Sequence, residues 1–279
     1  MVSGILRYMR ALTLLFVTVV VRADDRTQKL IENLAGAADA FQKNAPQVVG
    51  REVFHQRTMV SPPRRRGFRV GKATEQMLDP YWQEREIVSQ YGFALLGPSL
   101  HEIRQVTYVD GKQVADERRA QDDLARLITA SDDERRRRSL QQFEKYGMRG
   151  GVTDFGQLLL LFRRANIERY EITYVGPPVV APTRIEVFRY KQIDGPRALS
   201  VYQAGQAQRL SVEGEIWVRQ SDGSPFRLTM NATDASGEQN VRQEAVVDYA
   251  QSEFGTVLPA KVSHRELRAG EVTVENTFT

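Results

Sequence analysis

Four stretches of this chain bring together residue types that could do chemistry, and each lacks something that chemistry requires. Gly67-Phe68-Arg69-Val70-Gly71-Lys72-Ala73-Thr74 has the outline of a loop whose backbone amides cradle phosphates while a lysine reaches them. Three residues separate its glycines where four are needed, and Ala73 stands where a magnesium-binding hydroxyl belongs. His101-Glu102 opens like a zinc-protease helix, but Gln105 replaces the second histidine and the segment reads as a strand. Gly97-Pro98-Ser99-Leu100-His101 puts a serine two residues after a glycine, yet His101 occupies the place where a nucleophile elbow needs its second glycine. The chain contains no cysteine, which excludes disulfides, thiolate metal sites and cysteine nucleophiles. His55, His101 and His264 are its only histidines and lie far apart, so no metal or other cofactor is expected. Carboxylates are plentiful, but sequence does not pair them, and no acid/base couple is assigned.

The fourth stretch is arginine. The run 135–138 follows Asp132, Asp133 and Glu134, which makes it a solvated helical face. Arg64, Arg65 and Arg66 lack that neutralisation: between Arg51 and Lys72 seven Lys/Arg stand against Glu52 alone. They are the candidates for contact with an anionic head group.

The formal net charge of +4 points toward a polyanion, and the N-terminus removes that argument. Arg7 and Arg10 precede an apolar run from Ala11 to Val21, and Val21-Arg22-Ala23 offers small residues where a signal peptidase inspects them. At eleven residues the run is short of the roughly 20 that span a bilayer as a helix. We expect residues 1–23 to be a signal peptide cleaved near Ala23/Asp24. Its three cations (Arg7, Arg10, Arg22) and absence of acids leave 39 − 3 = 36 basic against 35 acidic residues, a mature charge of +1. A global electrostatic case for nucleic acid therefore fails. No cysteine is available for a lipid anchor, and 32 of the 39 basic residues are arginine, a bias of GC-rich bacterial coding. The expected location is the bacterial periplasm, with no transmembrane span in the mature chain.

The remaining residues must supply the elements. Leu30, Ile31, Leu34, Ala38 and Phe41 recur at helical spacing before Asn44 and Pro46 end the pattern. Strands are expected over 48–60, 85–94 and 102–109, the last closed by the turn Asp110-Gly111. Over 116–146 Leu124, Leu127, Ile128, Leu140 and Phe143 are spaced as on the inner faces of two charged helices, with Ser131 as an N-cap. Thr153 is a second cap candidate, opening a helix over 153–162 whose run Leu158-Leu159-Leu160-Leu161-Phe162 must be covered by protein or ligand. From Arg169 onward the period becomes alternating: strands are expected over 170–175, 184–190, 198–202, 214–219, 226–232, 241–250, 258–267 and 272–278, joined in an antiparallel meander. The last of these reads as a strand that could close the sheet edge.

Gly214-Glu215-Ile216-Trp217-Val218, the turn Asp222-Gly223, Pro225-Phe226-Arg227-Leu228, Val247-Asp248-Tyr249, Phe254-Gly255 and Leu258-Pro259-Ala260-Lys261-Val262 together resemble the LolA/LolB-like periplasmic lipoprotein carriers and receptors. The resemblance runs from Val212 onward. It implies an α+β fold with a strongly curved, half-barrel-like antiparallel sheet whose concave apolar face is covered by helices, acyl chains being held between. The expected organisation is one domain over 24–279 with a helical insertion at about 116–165. The family's functional arginine cannot be placed on any one residue.

The leading expectation is an exported, non-enzymatic protein that binds a hydrophobic or lipidated ligand, a lipid or an acylated protein, under a lid over 153–162. Phe155, Leu158, Leu159, Phe162, Trp217, Leu228, Met230, Tyr249 and Phe278 are the candidate lining residues. The alternative is an envelope sensor or scaffold that meets another envelope protein and keeps the same apolar face filled by its own helices. An unrecognised hydrolase comes third. Cavity volume between sheet and cover discriminates the first two.

Overall fold

The computed structural model describes residues 25–61, 79–97, 99–129, 143–146, 155–179, 184–203, 206–234 and 241–279. Helix α1 (Asp25–Asn44) opens it, and its buried residues Leu30, Leu34, Ala38 and Phe41 form the stripe that helical spacing predicts. A 3-10 turn containing Pro46 stops the helix and releases the chain into β1 (Val49–Val60). Strands β2 (Tyr81–Leu96), β3 (Ser99–Val109) and the short β4 (Lys112–Gln113) follow as hairpins. Helix α2 (Glu117–Thr129) and a 3-10 segment (Gly156–Phe162) lead to β5 (Tyr170–Gly176) and β6 (Ile185–Gln192). The hairpin β7 (Leu199–Gln203) and β8 (Gln206–Leu210) precedes β9 (Glu213–Arg219), β10 (Pro225–Asp234), β11 (Val241–Gln251), β12 (Val257–Arg268) and β13 (Glu271–Phe278).

Eleven of these strands form one open antiparallel sheet in the order β4, β3, β2, β1, β13, β12, β11, β10, β9, β6, β5. The sheet is thus made of an N-terminal meander and a C-terminal one, joined where β1 pairs with β13. The final strand is therefore internal to the sheet, and β4 and β5 are its edges. The expected unbroken meander after Arg169 is also corrected: β7 and β8 leave the sheet to form a separate two-stranded unit, and β6 pairs directly with β9.

Register explains why one face is apolar. From Ile216 on β9, through Leu228, Val247, Val262 and Phe278 to Phe54 on β1, each residue directly faces the next across the ladder. Side chains alternate faces along a strand, so these six share one face. All six are buried in one cluster that also contains α1 and the 3-10 segment. Phe41 of α1 meets Phe93 edge-on at 5.3 Å between ring centroids. Gly223 in the β9–β10 turn is required by this packing: it has φ +71°, and a Cβ there would lie 2.7 Å from Cβ of Asn33 on α1.

Helix α2 packs on the other face. Its Leu124 and Leu127 join Ala94 and Ile103 in a second, smaller cluster, with Val49 and Ile128 packed alongside. Gly92, which pairs with Val49 and Ile103, leaves room for Ile128 on that side. The expected cover of helices on one face is therefore divided: α1 lies on one face and α2 on the other. The second expected helix of the insertion falls largely outside the described residues. Where a helix over 153–162 was expected, the structure has a seven-residue 3-10 segment, with no side-chain cap from Phe155 at its start and the Asn166 amide donating to the Leu160 carbonyl near its end; Thr153, the cap candidate, lies outside the described residues. Among the described residues no helix is long and apolar enough to cross a membrane.

Candidate functional site

The α1 face is where the sequence-derived candidates converge. Phe155, Leu158, Leu159, Phe162, Leu228, Met230, Tyr249 and Phe278 are all buried in one cluster. Trp217 does not join them. It pairs with Arg227 and Val187 on the α2 face, half-buried beneath the Arg227 guanidinium at 5.6 Å, its indole N–H donating to Glu215. Its neighbours Ile216 and Val218 carry the buried parity of β9. Arg64, Arg65 and Arg66, the phosphate-loop outline 67–74 and residues 1–23, where a signal peptide is expected, lie outside the described residues.

Residues 155–162 form the central part of the cover. Phe155 lies 4.7 Å from the His264 ring and 6.0 Å from Phe278, and Phe162 meets Tyr190 edge-on at 5.2 Å. The segment is tied to α1, whose Asp39 accepts from Arg163 at 3.1 Å and Arg164 at 2.9 Å. Helix α1 has a further anchor: Arg26 donates to the buried carboxylate of Glu186, which also accepts from Tyr174 and Gln220.

Gly156 is the point at which the segment is clamped to the sheet. Its N–H donates to Glu102 Oε1 on β3, and its carbonyl accepts from the Tyr249 hydroxyl on β11 at 3.4 Å. A Cβ there would fall 2.7 Å from Glu102 and 2.7 Å from Pro259, so the fit requires glycine. Burial pushes the Tyr249 phenol well above its ordinary value and keeps it a donor.

Behind the clamp lies a buried charge cluster that sequence reasoning missed. Arg104 donates Nε to Glu52 Oε2 at 2.5 Å, Nη2 to Glu52 Oε1 at 2.7 Å and Nη2 to Glu102 Oε2 at 2.6 Å. Its guanidinium also sits over Tyr91 at 5.1 Å and Phe278 at 5.4 Å. Burial works against this cation, but Glu52 and Glu102 outweigh it and raise its pKa well above the ordinary value. Two carboxylates thus share one guanidinium.

A second missed feature is a row of polar side chains beside the apolar one. Gln56 donates to Asn276 at 2.8 Å, Asn276 to His264 Nδ1 at 3.1 Å, His264 Nε2 to Gln243 at 2.7 Å and Gln243 to Glu266 at 3.0 Å. Fixing the Asn276 amide as donor sets the imidazole tautomer, with the proton on Nε2. Burial holds the His264 pKa down to about 3, so the imidazole is neutral. Both features had a signal: Glu102 with Arg104, and His264 with Glu266, are spaced two apart in strands and so share a face.

Around the charge cluster, Arg51, Glu52, Tyr91, Glu102, Arg104, Phe155, Lys261 and Phe278 are among the residues that line a cavity of about 60 Å³. Known ligand pockets hold roughly 300–1,000 Å³, so this one admits a few waters and not an acyl chain. Elsewhere the described apolar side chains of cover and sheet pack into one buried cluster. What the arrangement can do chemically is bury apolar groups and satisfy a donor and an acceptor at one point. Among the described residues no group of three or more His, Asp or Glu is placed to hold a metal ion. No family model, no curated protein and no solved structure matches this chain.

Proposed function

We propose that this is an exported, non-enzymatic periplasmic protein that binds the acyl part of a lipid or lipidated protein on the α1 face, in place of residues 155–162. The observation that carries the reading is the unbroken apolar row from Ile216 to Phe54, whose cover is shared between α1 and a short 3-10 segment. The similarity of residues 212–279 to LolA/LolB-like carriers points the same way, and implies a curved sheet whose concave face is the covered one.

Magnitudes favour exchange of the segment over exchange of the helix. Burying Phe155, Leu158, Leu159 and Phe162 contributes roughly 1.5–3 kcal/mol each, about 6–12 kcal/mol together. An acyl chain of about a dozen methylenes contributes about 0.8 kcal/mol per group, about 10 kcal/mol in all. The two nearly balance, so a chain can replace the segment. Helix α1 buries five residues and is tied at Arg26 and Asp39, which sets its displacement well beyond what one chain returns.

The test is to purify the mature protein without detergent, extract it for mass spectrometry and titrate it with a fluorescent acyl probe. Co-extracted lipid or saturable probe binding is expected; neither would sink the reading. A second reading, an envelope sensor or scaffold that meets another protein and keeps this face filled permanently, is favoured by one observation, the cavity of only about 60 Å³. It expects no acyl binding under any condition.

A further inference from the structure

The apolar row from Ile216 to Phe54 has a neighbour two residues along each strand, and that second row has a different shape. Tyr190 on β6 faces Gly214 on β9, and the register of Leu228 with Ile216 and Asn231 with Glu213 sets Gly214 opposite Met230 on β10. Met230 faces Ala245 on β11, which faces His264 on β12. Rings thus stand at both ends, and between them come no side chain at Gly214, an unbranched one at Met230 and a methyl at Ala245. The result is a trough across the strands, with Ile216, Leu228 and Val247 of the apolar row along one side.

Residues 155–162 fit this trough end to end. Phe155 rests on the His264 ring at 4.7 Å and Phe162 on the Tyr190 ring at 5.2 Å, with the buried Leu158 and Leu159 between them. Tyr190 is a fixed stop. It is fully buried, its hydroxyl donates to the Thr229 carbonyl at 2.9 Å, and a Cβ at Gly214 would collide with that same carbonyl. Past His264 the row continues with Asn276 and Gln56, hydrogen-bonded amides that offer methylenes nothing.

The trough's length comes out similarly from the sheet and from the segment. Four strand spacings of about 4.8 Å put Tyr190 and His264 about 19 Å apart. Seven residue steps of about 2.0 Å in 3-10 geometry put Phe155 and Phe162 about 14 Å apart. An extended acyl chain, with C–C bonds of about 1.5 Å at tetrahedral angles, advances about 1.25 Å per carbon, so these lengths hold about 11 to 15 carbons.

Resting on the acyl-binding reading above, we infer that this trough measures chain length: the ligand is a straight acyl chain of about 11 to 15 carbons lying across the strands between Tyr190 and His264, and longer chains gain nothing from their further methylenes. Residues 155–162 then hold the place of such a chain, with Phe155 and Phe162 marking its two ends.

The experiment is competition against a fluorescent acyl probe by straight-chain fatty acids from octanoate to stearate, each below its micelle-forming concentration. One head group throughout makes the differences report chain length alone. Each added methylene should tighten competition roughly fourfold up to a ceiling at about 11 to 15 carbons, beyond which palmitate and stearate should gain less than about twofold. Tyr190→Leu takes away the stop and should carry the rise past that ceiling. Ala245→Leu raises the floor midway and should lower the ceiling, weakening laurate while octanoate changes little. The parent chain's own series decides whether a ceiling exists, even where a variant fails to fold. A rise that continues undiminished to stearate, or a ceiling that both variants leave in place, overturns the inference while leaving acyl binding intact. Failure of the whole series, and of the probe itself, overturns the acyl-binding reading and this inference with it.

Discussion

On the α1 face the row from Ile216 to Phe54 is apolar across six neighbouring strands, and a helix and a 3-10 segment complete one large cluster. On the α2 face, among the described residues, helix α2 covers Val49, Ala94 and Ile103 near one end of the sheet. Elsewhere that face carries cross-strand pairs of opposite charge: Arg57 with Glu84 and Glu275, Arg265 with Glu275, Arg227 with Asp248. Such pairs suit a surface that meets water. The same chemical types are used in opposite ways. Where arginine meets glutamate on the α2 face it is solvated, and where Arg104 meets Glu52 and Glu102 it is buried and holds the cover's anchor in place. Among the described residues the long apolar row lies on one face only, and it is there that the proposed function would sit.

The largest test of that contrast removes one arginine from each face. Arg104→Leu leaves two buried carboxylates without their cation and should cost about 3–5 kcal/mol. Arg57→Leu deletes solvated pairs and should cost about 1 kcal/mol or less. Denaturant unfolding of the two variants measures this, and equal losses would erase the distinction between the faces.

A glycine pair sharpens the comparison next. Gly156→Ala forces a Cβ against Glu102 and Pro259, and Gly92→Ala forces one against Ile128 beneath α2. Each should cost about 1–3 kcal/mol through overpacking. Only Gly156→Ala should also alter ligand affinity, because it loosens the seat the ligand must take: each 1.4 kcal/mol lost from the seat gives about tenfold tighter acyl-probe binding. A gain from Gly92→Ala, or none from Gly156→Ala, would break the link between segment and ligand.

The pH dependence is a smaller effect. His264 is held at about 3 in the folded chain, below its ordinary 6.5. Between those values the unfolded chain binds a proton that the folded chain refuses. Its contribution is therefore present above pH 6.5 and is lost as pH falls toward 3, at up to about 1.4 kcal/mol per pH unit. His264→Gln should flatten that part of the stability profile relative to the parent chain, and an unchanged slope would show that the imidazole is not buried. Smallest of all, Trp217→Leu should leave acyl-probe affinity unchanged, since its ring lies on the α2 face.

How much of this was legible in the sequence depended on whether a pattern was local. Alternation in Leu228, Met230 and Ala232, and helical spacing in Leu30, Leu34 and Phe41, each report one element's own geometry and read correctly. Trp217 lies on the other face because parity outranks aromatic bulk: Ile216 and Val218 already occupy the apolar face of β9. The charge cluster and the polar row were hidden for a different reason. Glu102 and Arg104 look like surface residues of a strand until the 3-10 segment closes over them, a contact spanning 54 residues from Glu102 to Gly156. The side of the sheet on which α2 packs was likewise set by Gly92 and Ala94 across the sheet, and nothing within α2 encodes it.

The central claim, that residues 155–162 yield to an acyl ligand while α1 stays, is tested most directly by amide hydrogen exchange with and without an acyl probe. The account predicts that the probe strips protection from 155–162, including the Gly156 amide, and leaves the α1 amides at their original rates. Unchanged protection of 155–162 at a saturating probe concentration would contradict it and leave a permanently filled core.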